Sequence, residues 1–409
     1  AIEKYQHLLG AKILKYEATP VEQVFEATAD LHPSDNDIGR QLNTYYMVSA
    51  DVLKNMSIIH DSKAADLDVI LASGEQARVS IESVVLSRPL HRVLDLSEFY
   101  GPTDRKTFPQ YKMAYKSLNI SEWRNTPLSE KSKIPQFLRT RTGYWYEYLQ
   151  DHNAVYIAIT FSTNEGRNGY TNFKSFLVEV FEVVDKKQTE KVILDIRFNP
   201  GGDGSSTLPL VHEFIKRDSI NKKGKLFTLT GRKTYSAAQM IYAEMLKHTN
   251  TLLVGEPPGA PVNGYGDPST FTLSNSKMHY QVSTAYWQMG HPNDSSRVQT
   301  IDVPFVFSST DYIQGNDRAL EYILSLQGDY LSLPEFLKRE DLGNFKEEYR
   351  NRKKRFSVHD WWKPFDEDEM RFAARELFDK GYTDKAKLGF ERLLSEYPES
   401  WRGYRDYAQ

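Results

Sequence analysis

Lys191-Val192-Ile193-Leu194-Asp195-Ile196-Arg197-Phe198-Asn199-Pro200-Gly201-Gly202 joins a short apolar run to a turn with paired glycines. The run Lys191 to Ile196 reads as a buried strand, because it is apolar almost throughout rather than at alternate positions. The turn lacks a Cβ at two successive positions, so its backbone N–H groups can face a bound group directly. Such a turn can bind phosphate or hold an oxyanion. Phosphate is disfavoured here. No lysine follows the glycines, no full GxGxxG is present, and Asp203 would repel an anion.

The pattern repeats outward from this stretch. Ala154 to Ile159 is a second buried-strand signal, and Phe173 to Val184 between them is apolar at helical spacing. Downstream, Pro209 to Ile215 reads as helix, Lys225 to Thr230 as strand, Ala237 to Leu246 as helix and Thr251 to Val254 as strand. Strand, helix and strand in alternation predict an α/β fold, a layered βαβ domain over residues 144–326 whose parallel sheet is covered on both faces. Residues 1–90 read as a small β-rich, PDZ-like module whose start falls at or before Ala1. Its order is a strand at Gly10–Tyr16, a turn, a helix from Val21 with Pro20 at its first turn, and strands at Leu67–Leu71 and Ala77–Ile81 around Ser73-Gly74. Residues 91–143, rich in Pro, Arg, Lys and Ser, read as a connecting arm. Residues 327–409 form a helical tail. Its charged run Arg352 to Arg355 reads as a solvated helix face. Gly381, Tyr382, Ala386, Phe390 and Pro398 fall at tetratricopeptide spacing. One such repeat cannot bury its own face, so the tail is a candidate surface for a protein partner, with an ordinary helical hairpin as the alternative.

Composition narrows the function classes. The 409 residues are 40% hydrophobic, and 52 Lys+Arg balance 55 Asp+Glu to a formal charge of -3. That balance gives no electrostatic reason for a nucleic-acid or anionic-membrane partner. Cysteine is absent, which removes disulfides, zinc–thiolate sites and thiol catalysis. No apolar run reaches the ~18 residues of a membrane span. A signal peptide, if there was one, is gone before Ala1. His212-Glu213 begins like a zinc-peptidase helix but lacks the second histidine, so no metal and no cofactor is expected.

A second segment carries chemistry. In Leu229-Thr230-Gly231-Arg232-Lys233-Thr234-Tyr235-Ser236-Ala237-Ala238-Gln239 a strand ends and a helix begins at or near Ser236. Serine favours that place simply as a helix cap, which by geometry alone is the ordinary reading. A nucleophile there would gain from the helix dipole, with the following N–H free to bind developing negative charge. Neither segment decides between these alone.

Together, the two segments resemble the tail-specific (C-terminal-processing) serine peptidases, whose catalytic domains are ClpP/crotonase-like. The turn Asp195–Gly202 is similar to the family's Asp-x-Arg-x-Asn-x-Gly-Gly turn. Thr234-Tyr235-Ser236-Ala237-Ala238 is similar to its nucleophile motif. Leu253-Val254-Gly255-Glu256 and the closing Asp311-Tyr312, Gly315, Asp317, Leu320 and Ile323 follow in the family's order. The resemblance implies a serine peptidase in which Ser236 attacks a peptide carbonyl. The N–H of Ala237, with that of Gly201 or Gly202, would bind the oxyanion. It also implies a polypeptide substrate and a place outside the bacterial cytoplasm, periplasmic or secreted.

The chain departs from the family in its base. Bacterial and plastid members carry a lysine about 25 residues after the serine, and that position is Pro261. The tricorn-like branch takes a histidine from an upstream segment and adds a downstream acid, for which Asp294 stands in the right stretch; a plain surface aspartate is the alternative. Of the 10 histidines none has a local partner suggesting a triad, and His291 stands nearest to Asp294. Gly259 to Asp267, with Gly259, Asn263 and Tyr265, reads as a loop placed for substrate contacts. Tyr286-Trp287 would line the cleft or pack into the core. Two other readings stay open: a peptidase-fold protein that binds peptides without turnover, and a scaffold acting through its tail.

Overall fold

The computed structural model describes residues 3–8, 11–71, 73–83, 143–277, 279–292, 296–308, 311, 316–326, 330–356 and 361–408. The arm at 91–143 lies outside these residues except for its last one. The first unit is a four-stranded antiparallel sheet of β1 (Lys12–Tyr16), β2 (Thr19–Pro20), β3 (Ala64–Ile70) and β4 (Gln76–Glu82), in the order β2-β1-β3-β4. Helix α1 (Val21–Ala29) starts directly after Pro20, whose missing N–H costs nothing at a helix start. Two short helices follow, α2 (Asp37–Arg40) and α3 (Ala50–Asn55). Tyr16, Val24, Leu53, Ile59, Leu67 and Val69 form the unit's core.

The central sheet has six strands: β5 (Tyr144–Leu149), β6 (Ala154–Ile159), β7 (Lys191–Asp195), β8 (Leu226–Thr230), β9 (Leu252–Gly255) and, after a separate hairpin of β10 (Gly264–Thr272) and β11 (His279–Trp287), β12 (Val303–Pro304). Their order is β12-β9-β8-β7-β6-β5, and every neighbouring pair is parallel except β5 with β6. One face is covered by α4 (Phe173–Lys187), α5 (Thr207–Ile215) and α6 (Ala237–His248). Their Phe176, Val180, Leu210, Phe214, Ile241 and Met245 pack on Val155, Ile157, Val192, Leu194 and Leu253. The other face, with Tyr156, Ile193, Phe227, Leu229 and Val254, meets Leu320 and Ile323 of α7 (Arg318–Ser325) together with Phe356 and Trp362. Burial on both faces is why β6 to β9 read as continuous apolar runs. Helix α4 begins where it does because Asn172 and Ser175 cap it reciprocally: Asn172 Oδ1 accepts the Ser175 N–H at 2.9 Å.

Asp302 lies under β9, where one carboxylate oxygen accepts the Leu253 N–H at 2.8 Å. Burial pushes this carboxyl from 3.8 up to about 6, with the Leu253 bond and Lys223 opposing. A carboxyl raised in the folded state binds its proton more tightly there than in the unfolded chain. The resulting stabilisation is therefore complete below the ordinary value and is lost as pH rises through about 6. Asp302→Asn can keep accepting the Leu253 N–H without ionising. It is expected to exceed the wild type by up to about 2–3 kcal/mol near pH 8 and to match it near pH 4, as read by urea denaturation at the two pH values.

The tail consists of α8 (Leu333–Arg339), α9 (Leu342–Phe356), α10 (Glu367–Asp379), α11 (Thr383–Glu396) and α12 (Trp401–Tyr407) around Leu337, Phe345, Met370, Ala374, Phe390 and Leu393. Gly389 lets α11 approach closely: a Cβ there would meet Ala374 Cβ and Leu337 Cδ2, each at 2.9 Å. The run Arg352 to Arg355 is a solvated face in part: Lys354 and Arg355 are exposed, while Arg352 and Lys353 are half-buried. Arg352 donates to Glu348 at 2.7 Å and to the Leu331 carbonyl at 2.7 Å, Lys353 pairs with Glu396 at 2.7 Å, and Arg355 lies over the Tyr322 ring. Glu348 is the i,i+4 neighbour of Arg352 on the same helix, whereas Leu331, Glu396 and Tyr322 come from other segments.

Candidate active site

Strands β7 and β8 are parallel neighbours, so the turns leaving them emerge side by side at the same end of the sheet. Asn199 to Gly202 follows β7, and Gly231 to Ser236 follows β8. They are stitched together. The Tyr235 N–H donates to the Asn199 carbonyl at 3.0 Å, and the buried Thr234 hydroxyl donates to the Ile196 carbonyl at 2.8 Å. Ser236 ends the second turn with φ 54° and ψ −124°. Ser236 stands at the N-cap of α6 and its N–H donates to Gln239 Oε1 at 2.9 Å as in a capping box, but its φ lies outside the extended region usual for a cap. An L-residue held in this region costs about 1–3 kcal/mol and persists only where its surroundings enforce it. Ser236 is exposed, while Ala237 and Ala238 behind it are buried.

The paired glycines are needed for contact with this elbow. Gly201 has φ 109°, and a Cβ there would fall 2.5 Å from Ser236 Cβ and 3.0 Å from Ala237 N. Gly202 has φ 126°, and a Cβ there would fall 2.2 Å from the Ser162 carbonyl oxygen. The amides of the turn divide into two groups. The Gly201 N–H is spent on Asn199 Oδ1 at 2.9 Å. Among the described residues, nothing accepts from the N–H of Gly202 or Ala237. Asn199 is wholly buried and bonded through both its backbone and its side chain. Besides its carbonyl and Oδ1, its Nδ2 donates to Ser162 Oγ at 3.1 Å. Asp203 points away from this centre, since Ser205 donates to it through hydroxyl and amide and Asn164 donates at 2.9 Å. The Ser205 bonds hold its carboxyl below the ordinary range.

Behind the glycine turn sits a buried ionic clamp. Arg197 donates to Asp195 through Nε at 3.0 Å and to Asp317 through Nη1 at 3.0 Å and Nη2 at 2.8 Å. Tyr156 donates its hydroxyl to Asp195. Burial alone would favour loss of the Arg197 proton, but the two carboxylates outweigh it and hold the guanidinium charged. Asp317 also caps α7 by accepting the Leu320 N–H at 3.1 Å. The clamp thus fixes the end of β7, and with it the turn, to the helix behind.

No family model and no curated protein sequence matches the chain. Solved structures similar to it include proteases. CPAF complexed with lactacystin matches at 10% identity and TM-score 0.42, over 77% of this chain and 76% of that one. The photosystem II D1 C-terminal processing protease matches at 12% identity and TM-score 0.31, over 76% and 68%. The tricorn protease matches at 13% identity and TM-score 0.27, over 64% and 22%.

The remaining candidates fall in several places. Pro261 lies beside α6, its carbonyl accepting from Gln239 at 2.8 Å, and its side chain carries no proton acceptor. Gly259 is packed rather than open: a Cβ there would meet the Arg232 carbonyl oxygen at 2.4 Å and Gly39 of the first unit at 3.2 Å. Asn263 is buried and clamps the root of the hairpin, accepting from the Gly290 N–H at 2.9 Å and donating to the His291 carbonyl at 2.8 Å. Tyr265 is 69% exposed on β10, edge to face with Tyr286 of β11. The expected loop therefore stops at Asn263, and Tyr286-Trp287 lies exposed on β11 rather than in the core. Asp294 lies outside the described residues, as do His91, His359, Tyr312 and Gly315.

The first unit reaches the site by a contact absent from any local motif. Tyr235, next to Ser236, donates its hydroxyl to Asp35 at 2.7 Å. Burial, then the bond to Asp35, raises the Tyr235 phenol well above its ordinary value. Asn36 donates to the carbonyls of Arg297 at 2.8 Å and Pro258 at 3.3 Å, so the 35–36 segment fastens the loops around Ser236.

Proposed function

We infer that the chain is a serine-type peptidase of the tail-specific kind, acting on unstructured polypeptide through Ser236. The observation that carries this is the elbow: an exposed serine in a strained backbone, seated on Gly201, with two amides left over beside it. In this reading Ser236 Oγ attacks a substrate carbonyl carbon, and the N–H groups of Gly202 and Ala237 bind the oxygen as it gains charge. The amine leaves, and water then releases the acyl group from Ser236. The Gly201 amide donates to Asn199 Oδ1 and braces the turn instead of touching substrate. Pro261 offers no proton acceptor, so the base comes from another segment, with Asp294 as an acid partner for it.

The family's PDZ-like role for residues 1–90, the tetratricopeptide-like role of the tail toward a protein partner, and a place outside the bacterial cytoplasm belong to this same proposal. Among the described residues no helix is long and apolar enough to cross a membrane.

The test is direct. A fluorophosphonate probe is expected to label the wild type on the peptide containing Ser236 and to leave Ser236→Ala unlabelled, as read by mass spectrometry. The second reading, a peptide-binding protein without turnover, is favoured by Pro261. It requires that the wild type resist labelling while still binding an unfolded polypeptide.

A further inference from the structure

Gln239 stands three residues after Ser236, on the first turn of α6, and only 5% of it is exposed. Its Oε1 accepts the Ser236 N–H at 2.9 Å. Its Nε2 donates to the Pro261 carbonyl at 2.8 Å and the Ala260 carbonyl at 3.3 Å. A flipped amide would set N–H against N–H and oxygen against oxygen, so these partners fix its orientation. We propose that Gln239 is a positioning residue that locks the Ser236 elbow to the 260–263 loop and so registers the hairpin of β10 and β11 on the nucleophile. This rests on the reading of Ser236 as nucleophile.

The contacts carry the proposal in two directions. Toward the site, Gln239 turns the serine's own N–H into the protein. Only the Gly202 and Ala237 amides then remain for a developing oxyanion, and the direction of the Ser236 N–H is fixed by this bond. Toward the surface, Gln239 grips the carbonyls of Ala260 and Pro261. Val262 beyond them is buried in the core, and Asn263 closes the root of the hairpin against Gly290 and His291. One buried amide therefore links the backbone of the nucleophile to the segment from which the exposed aromatic ribbon springs. A buried amide whose donors and acceptor are all used is costly to replace piecemeal, because each change strands a partner.

Two substitutions separate the two directions. Gln239→Met keeps the bulk and removes both functions. Gln239→Glu keeps an acceptor for the Ser236 N–H, but its second oxygen faces two carbonyl oxygens and satisfies them only when protonated. Labelling of Ser236 by a small fluorophosphonate reports the elbow. Cleavage of β-casein, an unfolded polypeptide, reports the elbow and the loop together. Gln239→Met is expected to slow labelling at least about ten-fold. Gln239→Glu is expected to label within about three-fold of wild type, yet to lose about ten-fold or more in kcat/KM on casein near pH 8. Expressed relative to wild type at each pH, that deficit is expected to shrink toward about pH 5, as the acid regains a proton to donate. Equal labelling of all three proteins overturns the proposal, and so does a Gln239→Glu deficit that does not change with pH. If Gln239→Met does not fold, the Gln239→Glu pH series decides alone. A wild type that resists labelling sinks the nucleophile reading and this inference with it, whereas a labelled wild type with indifferent variants sinks only the inference.

Discussion

Gly201→Ala is expected to slow labelling of Ser236 by about a hundred-fold or more, the scale seen when an oxyanion site loses a donor. The added methyl would lie 2.5 Å from Ser236 Cβ, 2.9 Å from the Tyr235 carbonyl oxygen and 3.0 Å from Ala237 N. None of these is the end of a flexible side chain that could swing aside. The two turns must separate, which pulls the Gly202 amide away from that of Ala237 and stretches the Tyr235–Asn199 bond. The alanine would also inherit φ 109°, at a further cost of about 1–3 kcal/mol. Gly74→Ala separates the two effects. Gly74 has φ 88° but nothing within 4 Å of an added Cβ, so its alanine carries backbone strain without a clash at the site. Labelling rates for the two variants, with thermal melts to confirm folding, check the argument. A Gly201→Ala protein labelled as fast as wild type would mean that the spacing of the turns does not matter.

Arg197→Leu is expected to have the largest effect on stability, about 3–5 kcal/mol, read as a lower urea midpoint. The leucine leaves Asp195 and Asp317, both almost fully buried, with no cation between them. The loss is expected to shrink at low pH, because protonation of a carboxyl removes the stranded charge. Asp317→Asn removes one carboxylate but keeps an acceptor for the Leu320 N–H, so its cost is expected to be smaller. Were the two variants equally stable at neutral pH, the clamp would be ordinary packing and not an ionic brace.

The sheet and the turn that carries Ser236 were legible because both are local. Four apolar runs, at 154–159, 191–196, 225–230 and 251–254, fall within one residue of β6 to β9. The helix start at Ser236 needed only its own segment. Contacts between distant segments were not legible. Asp317 meets Arg197 across 120 residues, and Asp35 meets Tyr235 across 200. Gln239 looked like an ordinary helix residue because its partners arrive from a separate loop. Asn199 sat inside the decisive motif, yet only the folded turn reveals that it consumes the Gly201 amide. The hairpin of β10 and β11 was half missed, since Gly264, Gly266 and Pro268 signal a turn by composition while the backbone continues as strand through Thr272.

The parallel pairing of β7 with β8 has one more consequence. Neighbouring strands in a ladder stand about 4.8 Å apart whatever their side chains. Leu194 pairs with Thr228 and Asp195 with Leu229, so the glycine turn and the serine turn leave the ladder from adjacent rungs. The pitch of the sheet thus sets the spacing between the Ser236 turn and the glycine turn.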